Sequence, residues 1–177
     1  MRNIEIKARV EHLESLAAMA AQMASGGPTE ILQDDTFFPC ATGRLKLRDF
    51  QDGTGELIFY RRPNQHGPKQ SFYVRSPTSC PDSLRESLSL AYGQLGRVKK
   101  RRTLYLIGRT RVHLDNVAAL GTFLELEVVL EDHECLENGV REANELMDAL
   151  NISAQQLIDC AYIDLLTARS SAKDTDS

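Results

Sequence analysis

The chain has 177 residues, 42% of them hydrophobic and 26% charged, with a formal net charge of −4. That composition fits one folded domain with a sizeable core, and the acidic balance argues against a general nucleic-acid binder. No apolar run approaches the ~20 residues of a membrane span. The chain enters a strand pattern almost at once, so no signal peptide is expected and a cytoplasmic location is. Cys40, Cys80, Cys135 and Cys160 are widely spaced with no Cys-x-x-Cys pair, which suits reduced thiols better than a disulfide framework or a zinc site.

In chain order, residues 2–10 read as a strand in which Asn3, Glu5, Lys7 and Arg9 face one side and Ile4, Ile6 and Ala8 the other. Residues 12–24 read as a helix with Leu13, Leu16, Ala20 and Met23 on one side, stopped by Gly26-Gly27-Pro28. Strands follow at 30–38, 44–50, 56–61 and 69–76, with Asp52-Gly53 as a turn and Pro63–Pro68 as a polar loop. A second helix starts between Pro77 and Pro81 and carries Leu84, Leu88, Ala91 and Leu95 at helical spacing. Three more strands, about 97–107, 109–117 and 122–131, precede a third helix over about 136–150. Ser153 and Gln156 resemble a capping box for a short last helix. Residues 1–167 read as a single domain and the small, polar residues 168–177 as a flexible tail.

Eight strands with mostly short connections predict an α+β fold built on an antiparallel barrel, closed or nearly closed, with helices packed outside. Eight strands enclose side chains or one small ligand. The charged positions keep the strand period across the chain. If Lys7, Arg9, Lys46, Arg48, Arg61, Lys69, Arg75, Lys100, Arg102, Arg109 and Arg111 share the inner face with Glu5, Asp115, Glu125 and Glu127, that face has a surplus of seven positive charges and the remainder of the chain stands at −11. Burying so many charges without counter-ions would be prohibitive, so the interior is expected to be wet and to hold a compact anion with a metal. Glu5, Glu125 and Glu127 come from the first and last strands, which a closed barrel makes neighbours. They are hard oxygen ligands suited to Mg²⁺ or Mn²⁺. Lys46, Arg48, Arg61, Lys69, Lys100 and Arg102 would surround phosphates.

Single elements of this pattern have plainer readings. Glu5 with Lys7 is also what a solvated strand face looks like, and residues 99–102 alone would be a solvated basic run. His113, in phase with Arg111 and Asp115, is a candidate general base or a satisfied structural histidine. Tyr73 could meet a base or ribose, or simply pack. His12, His66 and His133 read as surface residues.

The ordered set of motifs resembles the CYTH superfamily, also called triphosphate tunnel metalloenzymes, and within it the bacterial class IV adenylate cyclase-like branch. Glu5-Ile6-Lys7 is similar to the second half of its Glu-x-Glu-x-Lys signature, and Leu47-Arg48-Asp49 to its third-strand arginine. Arg61-Arg62-Pro63, Gly67-Pro68-Lys69-x-Ser71-x-Tyr73 and Lys100-Arg101-Arg102 follow in order, and Val112-His113-Leu114-Asp115 with Phe123-Leu124-Glu125-Leu126-Glu127 resembles the end of its metal site. The resemblance implies a tunnel enzyme with Mg²⁺ or Mn²⁺ on Glu5, Glu125 and Glu127. Lys7, Lys46, Arg48, Arg61, Lys69, Lys100, Arg102 and Arg111 would bind the triphosphate. Lys7, Arg48, Arg61, Lys100, Arg102 and Asp115 would assist catalysis, Asp115 as a second metal ligand or by orienting a base.

The implied activity is cyclisation of ATP to cyclic AMP and pyrophosphate. The alternatives are hydrolysis of tripolyphosphate, thiamine triphosphate or nucleoside triphosphates, and nucleotide or polyphosphate binding without turnover. The expected partner is thus a small triphosphate, with no nucleic acid or membrane, and room for a homodimer. One position departs from the pattern: the signature's first glutamate falls at Asn3, which offers a carbonyl but no charge.

Overall fold

A computed structural model describes residues 2–65 and 67–174, with side chains described up to residue 171. Eight strands run β1 Arg2–Arg9, β2 Gly26–Phe38, β3 Arg44–Asp49, β4 Gly55–Arg61, β5 Lys69–Thr78, β6 Gly96–Ile107, β7 Thr110–Val117 and β8 Gly121–Leu130. Four helices accompany them: α1 Leu13–Met23, α2 Pro81–Tyr92, α3 Leu136–Ala149 and α4 Tyr162–Asp174. The strands form one closed antiparallel barrel in the order β1-β5-β4-β3-β2-β6-β7-β8. The first and last strands pair along the full length of β1, from Arg2 opposite Leu130 to Arg9 opposite Phe123. The expected barrel is therefore the observed one.

Two segments differ from the sequence reading. β2 begins at Gly26 rather than at residue 30, so Gly26-Gly27-Pro28 lies inside a strand. The β2–β6 register shifts between Gly26 and Thr29, an irregularity that accommodates a proline without a backbone donor. Gly27 holds it with a φ of +99°, and a Cβ there would come within 2.5 Å of the Leu104 carbonyl oxygen. At the other end, Ser153 and Gln156 do form a capping box, but on a single 3-10 turn, Ala154–Gln156. The last helix starts only at Tyr162 and continues past residue 167 to Asp174. All four cysteines are free thiols. His12 and His133 are exposed as expected, and His66 lies outside the described residues. Among the described residues no helix is long and apolar enough to cross a membrane.

The alternation in β1 explains where the core lies. Ile4, Ile6 and Ala8 point out of the barrel and are buried with Val112, Leu114, Leu124, Leu126 and Val128 of β7 and β8. Leu16 and Ala20 of α1, with Ala143 and Met147 of α3, cover them. The apolar core is thus a layer between barrel and helices, and the barrel interior is left to polar side chains. A second cluster plugs one end of the barrel. There Phe37, Val98, Val117 and Phe123 pack on Ala161, Tyr162 and Ile163 at the start of α4. The preceding segment is stitched to β1 by a bridge between Ala8 and Leu157 and by the Ile158 amide donating to the Lys7 carbonyl at 2.9 Å.

Contact between α3 and the barrel depends on Gly139, where a Cβ would stand 2.6 Å from Leu130 Cδ2 and 2.8 Å from Ile4 Cγ1. Gly139→Val is expected to lower stability by about 1–3 kcal/mol through overpacking, in spite of the better helix propensity. A urea unfolding midpoint equal to that of the parent protein would contradict this packing.

Candidate functional site

Side chains from all eight strands converge on one interior cavity of about 160 Å³. Asn3, Glu5 and Lys7 enter from β1, Lys46 and Arg48 from β3, Lys100 and Arg102 from β6, Arg111 from β7, and Glu125 and Glu127 from β8. Each set follows from period-two alternation. The alternate apolar positions of β1, β7 and β8 face the helices.

The interior is less one-sided than the sequence implied. Eight cationic and five acidic side chains line the cavity, a surplus of three rather than seven. Arg61 is one reason. It lies opposite Phe72, is exposed, and its guanidinium stands 5.8 Å and 5.4 Å from the ring centroids of Phe59 and Phe72. Its neighbour Arg62 enters the cavity instead and donates to Glu5 Oε1 at 2.7 Å. Counting on by twos from Ile58 and Tyr60, which also line the cavity, would have found it. Arg109 is likewise outside, paired with Glu134 and Glu142. Lys69 is 1% exposed and in phase, but it does not line the cavity. Its Nζ donates to the carbonyls of Gln65, Ile158 and Asp159 at 3.2–3.3 Å. Two acids were missed altogether, Asp35 and Glu56.

Asp35 organises one wall. Its carboxylate accepts a forked pair from Arg48 at 2.8 and 2.7 Å and a third bond from Lys46 at 2.6 Å. Burial alone would raise its pKa, but Arg48 and Lys46 outweigh that and hold it well below the usual carboxylate range. One carboxylate facing two cations leaves Lys46 the surplus charge. Burial, then the adjacent Arg48, lower the Lys46 ammonium to about 7.

Asp115 organises the adjoining wall, across the β2–β6 pair, and is fully buried. Arg102 donates to both its oxygens at 2.6 and 2.7 Å, Lys100 at 2.7 Å and the Tyr162 hydroxyl at 3.0 Å. Three of these bonds fall on Oδ2 and one on Oδ1, and with two cations already on it Asp115 serves as an anchor for Lys100 and Arg102. Lys7 spans to Glu125 Oε1 at 3.2 Å and to the Cys160 carbonyl at 3.3 Å, with its Nζ 3.9 Å from the Tyr162 ring centroid. Tyr162 escaped the sequence reading because a lone tyrosine near a chain end carries no periodic signal.

The acidic corner is His113, Glu125 and Glu127, whose potential ligand atoms all lie within 4.8 Å of one another. Glu5 is absent from that group, its Oε1 being held by Arg62. Burial would raise both carboxyls. Lys7, Lys100 and Arg102 draw Glu125 well below its ordinary value, and His113 when protonated, Arg102 and Arg111 lower Glu127, so both are ionised near neutrality. Burial and Arg102 lower His113 in turn, leaving a neutral ring. Its Nδ1 is buried without a hydrogen-bond partner, as is Oδ1 of Asn3, which faces the cavity. Two anionic carboxylates, a neutral imidazole and an unpaired amide oxygen are a donor set that fits a divalent cation. His113 is thus neither satisfied nor on the surface.

Known proteins share this fold. The CYTH domain model matches residues 1–162. The chain is 30% identical over 170 residues to Adenylate cyclase CyaB of Aeromonas hydrophila, covering 90% of this chain and 85% of that protein. It is 32% identical over 174 residues to a protein of Methanocaldococcus jannaschii whose name gives the same activity provisionally, covering 93% and 98%. In three dimensions it is similar to the PH1012 protein of Pyrococcus horikoshii OT3, with a TM-score of 0.82, 22% identity and coverage of 92% and 98%. With its family model spanning nearly the whole barrel, the chain belongs to the CYTH domain family.

Proposed function

We propose that this protein is a divalent-metal-dependent enzyme that converts ATP to cyclic AMP and pyrophosphate inside the barrel. One observation carries the reading: the ionised Glu125–Glu127 corner and the cationic walls built on Asp35 and Asp115 open into the same cavity. The name of the Aeromonas relative supports the choice of a cyclase.

In this reading Arg48, Arg102 and Lys46 hold the phosphates, each arginine through the donors that its carboxylate partners leave free and Lys as a point charge. The divalent ion, when bound at Glu125 and Glu127, supplies Lewis-acid neutralisation of phosphate charge. The ribose 3′-hydroxyl oxygen forms its bond to the α-phosphorus as the bond to the bridging oxygen of the β-phosphate breaks, its proton passing to water or to the departing pyrophosphate. The cationic walls stabilise the departing pyrophosphate, and because Asp35 and Asp115 already fix those cations, little reorganisation is needed at the moment of reaction. Lys69 is engaged by backbone carbonyls and Arg61 faces solvent, so neither is assigned to the phosphates.

The decisive assay incubates the purified protein with ATP, tripolyphosphate or thiamine triphosphate plus Mg²⁺ or Mn²⁺ and resolves the products. Cyclic AMP with pyrophosphate is expected. Orthophosphate in its place would make the protein a hydrolase, and tight binding without product would make it a sensor. Glu125→Gln with Glu127→Gln should abolish metal-dependent turnover while the circular-dichroism spectrum stays that of a folded barrel; undiminished turnover would refute the acidic corner.

Arg62→Ala should weaken triphosphate binding about 10–100-fold, the range for losing a charged hydrogen bond. Arg61→Ala should change it by less than about twofold, as expected of a surface position. Equal effects, read by titration calorimetry, would mean that the inward and outward assignments are wrong.

With its ammonium lowered to about 7, Lys46 is mostly neutral at pH 8 in the free protein. A bound triphosphate favours the charged form, so binding at pH 8 should take up protons and affinity should fall as pH rises above 7. The uptake is read from the dependence of binding enthalpy on buffer ionisation. Lys46→Arg should reduce it, and identical uptake in both proteins would remove Lys46 from this role.

A further inference from the structure

From the acidic corner we infer that His113 is itself a ligand of the divalent ion, through Nδ1, and that it tunes the site toward Mn²⁺ and related transition ions over Mg²⁺. This rests on the reading that Glu125 and Glu127 hold such an ion, and goes beyond it in naming a nitrogen ligand and a selectivity.

Three observations converge. First, His113 is 4% exposed and its Nδ1 has no hydrogen-bond partner. An unpaired buried polar atom is costly and calls for a partner. Second, that nitrogen stands 3.9 Å from Glu125 Oε2 and 3.7 Å from Glu127 Oε1. Both distances are too long for a hydrogen bond. The same Glu125 oxygen accepts from Arg102 at 2.5 Å, so an ion shared with His113 would use its second lone pair together with Glu127 Oε1. Ligand atoms about 2.1 Å from a common octahedral ion are about 3.0 Å apart when adjacent, so the three groups would draw in by under about 1 Å on binding. A single bridging water would set its partners farther apart, at roughly 4.5 Å for two ordinary hydrogen bonds. Third, the three residues are fixed in register: His113 lies directly opposite Glu125 on the neighbouring strand, and Glu127 is the next in-phase residue of β8. The triplet is therefore set by the barrel's own pairing rather than by a loop.

The chemical consequence concerns which ion is held. Mg²⁺ favours oxygen donors in a tight octahedron and keeps several waters. Imidazole is a softer donor that favours first-row transition ions, with Mn²⁺ the weakest binder of that series. Two carboxylates and one imidazole thus discriminate against Mg²⁺ in a way that carboxylates alone do not. Asn3, whose amide oxygen carries no charge, shifts the balance the same way by removing a hard anionic donor from the cavity.

The test uses metal-free, full-length protein without nucleotide, because a triphosphate brings metal ligands of its own. Free Mn²⁺ measured by electron paramagnetic resonance gives the Mn²⁺ affinity, and displacement by Mg²⁺ gives the ratio of the two. Electron spin-echo modulation from nitrogen on bound Mn²⁺, shifted when the histidines carry ¹⁵N, reports a coordinated imidazole in the unsubstituted protein. The expected results are nitrogen modulation in that protein and a Mn²⁺ preference of at least about tenfold. In His113→Gln the modulation should vanish and the preference should fall about tenfold, in line with the effect of disturbing ligand shells elsewhere. If both ions bind but no nitrogen modulation is seen, and the ratio is unchanged in His113→Gln, the inference on His113 is overturned while the carboxylate site stands. If neither ion binds, the metal reading of the corner falls, and this inference with it.

Discussion

Charge compensation inside the barrel is the constraint on which the rest depends. Isolated charges cannot be taken out of water without large cost, yet this interior contains Lys100, Arg102 and Lys7, each 7% exposed or less. Asp115 and Asp35 make that tenable. Each is almost wholly buried and each accepts a forked arginine plus a lysine. Removing either carboxylate would strand two cations, which is far worse than never having buried the group. These carboxylates also fix the direction of the cations. A cation held by a fully buried carboxylate presents its remaining donors along one vector, as a pre-arranged anion site requires.

The same constraint explains the inverted architecture. With ionic side chains inside, the apolar alternates of every strand must find cover outside. The amphipathic faces of α1 and α3 supply it over β1, β7 and β8. Gly139 brings α3 close enough to touch Ile4 and Leu130. The barrel's own apolar filling is confined to one end, where Phe37, Val98 and Phe123 meet the start of α4. Tyr162 stands at that boundary. It completes the hydrogen bonding of Asp115 and places its ring beside the Nζ atoms of Lys7 and Lys100. Through Tyr162, α4 therefore takes part in the polar interior.

The barrel and most of the site are legible in the primary structure because period-two alternation is a local property. Lys7, Arg48, Lys100 and Arg102 could be placed on the inner face by counting. So could the nearness of Glu5 to Glu127, since closing an eight-stranded sheet makes first and last strands neighbours. The failures have local causes as well. Arg61 and Arg62 are adjacent, and a one-residue phase error exchanges inside for outside. Asp34 and Asp35 pose the same problem. Asp34 faces out to Arg97 while Asp35 faces in to Arg48.

What the sequence determined by itself, then, is the strand periodicity, and through it the closed barrel, its ionic lining and the carboxylates Glu125 and Glu127. Only the tertiary structure decided the pairings across the lumen. Asp115 is committed to Arg102 and Lys100, Glu5 to Arg62, and Lys69 to the carbonyls before α4. It also left Nδ1 of His113 unpaired beside two carboxylates. The physical reason is that alternation tells which face a side chain takes, whereas which inward groups pair depends on strand register and on segments brought in from elsewhere in the chain. Those pairings are set only when shear and register close the barrel.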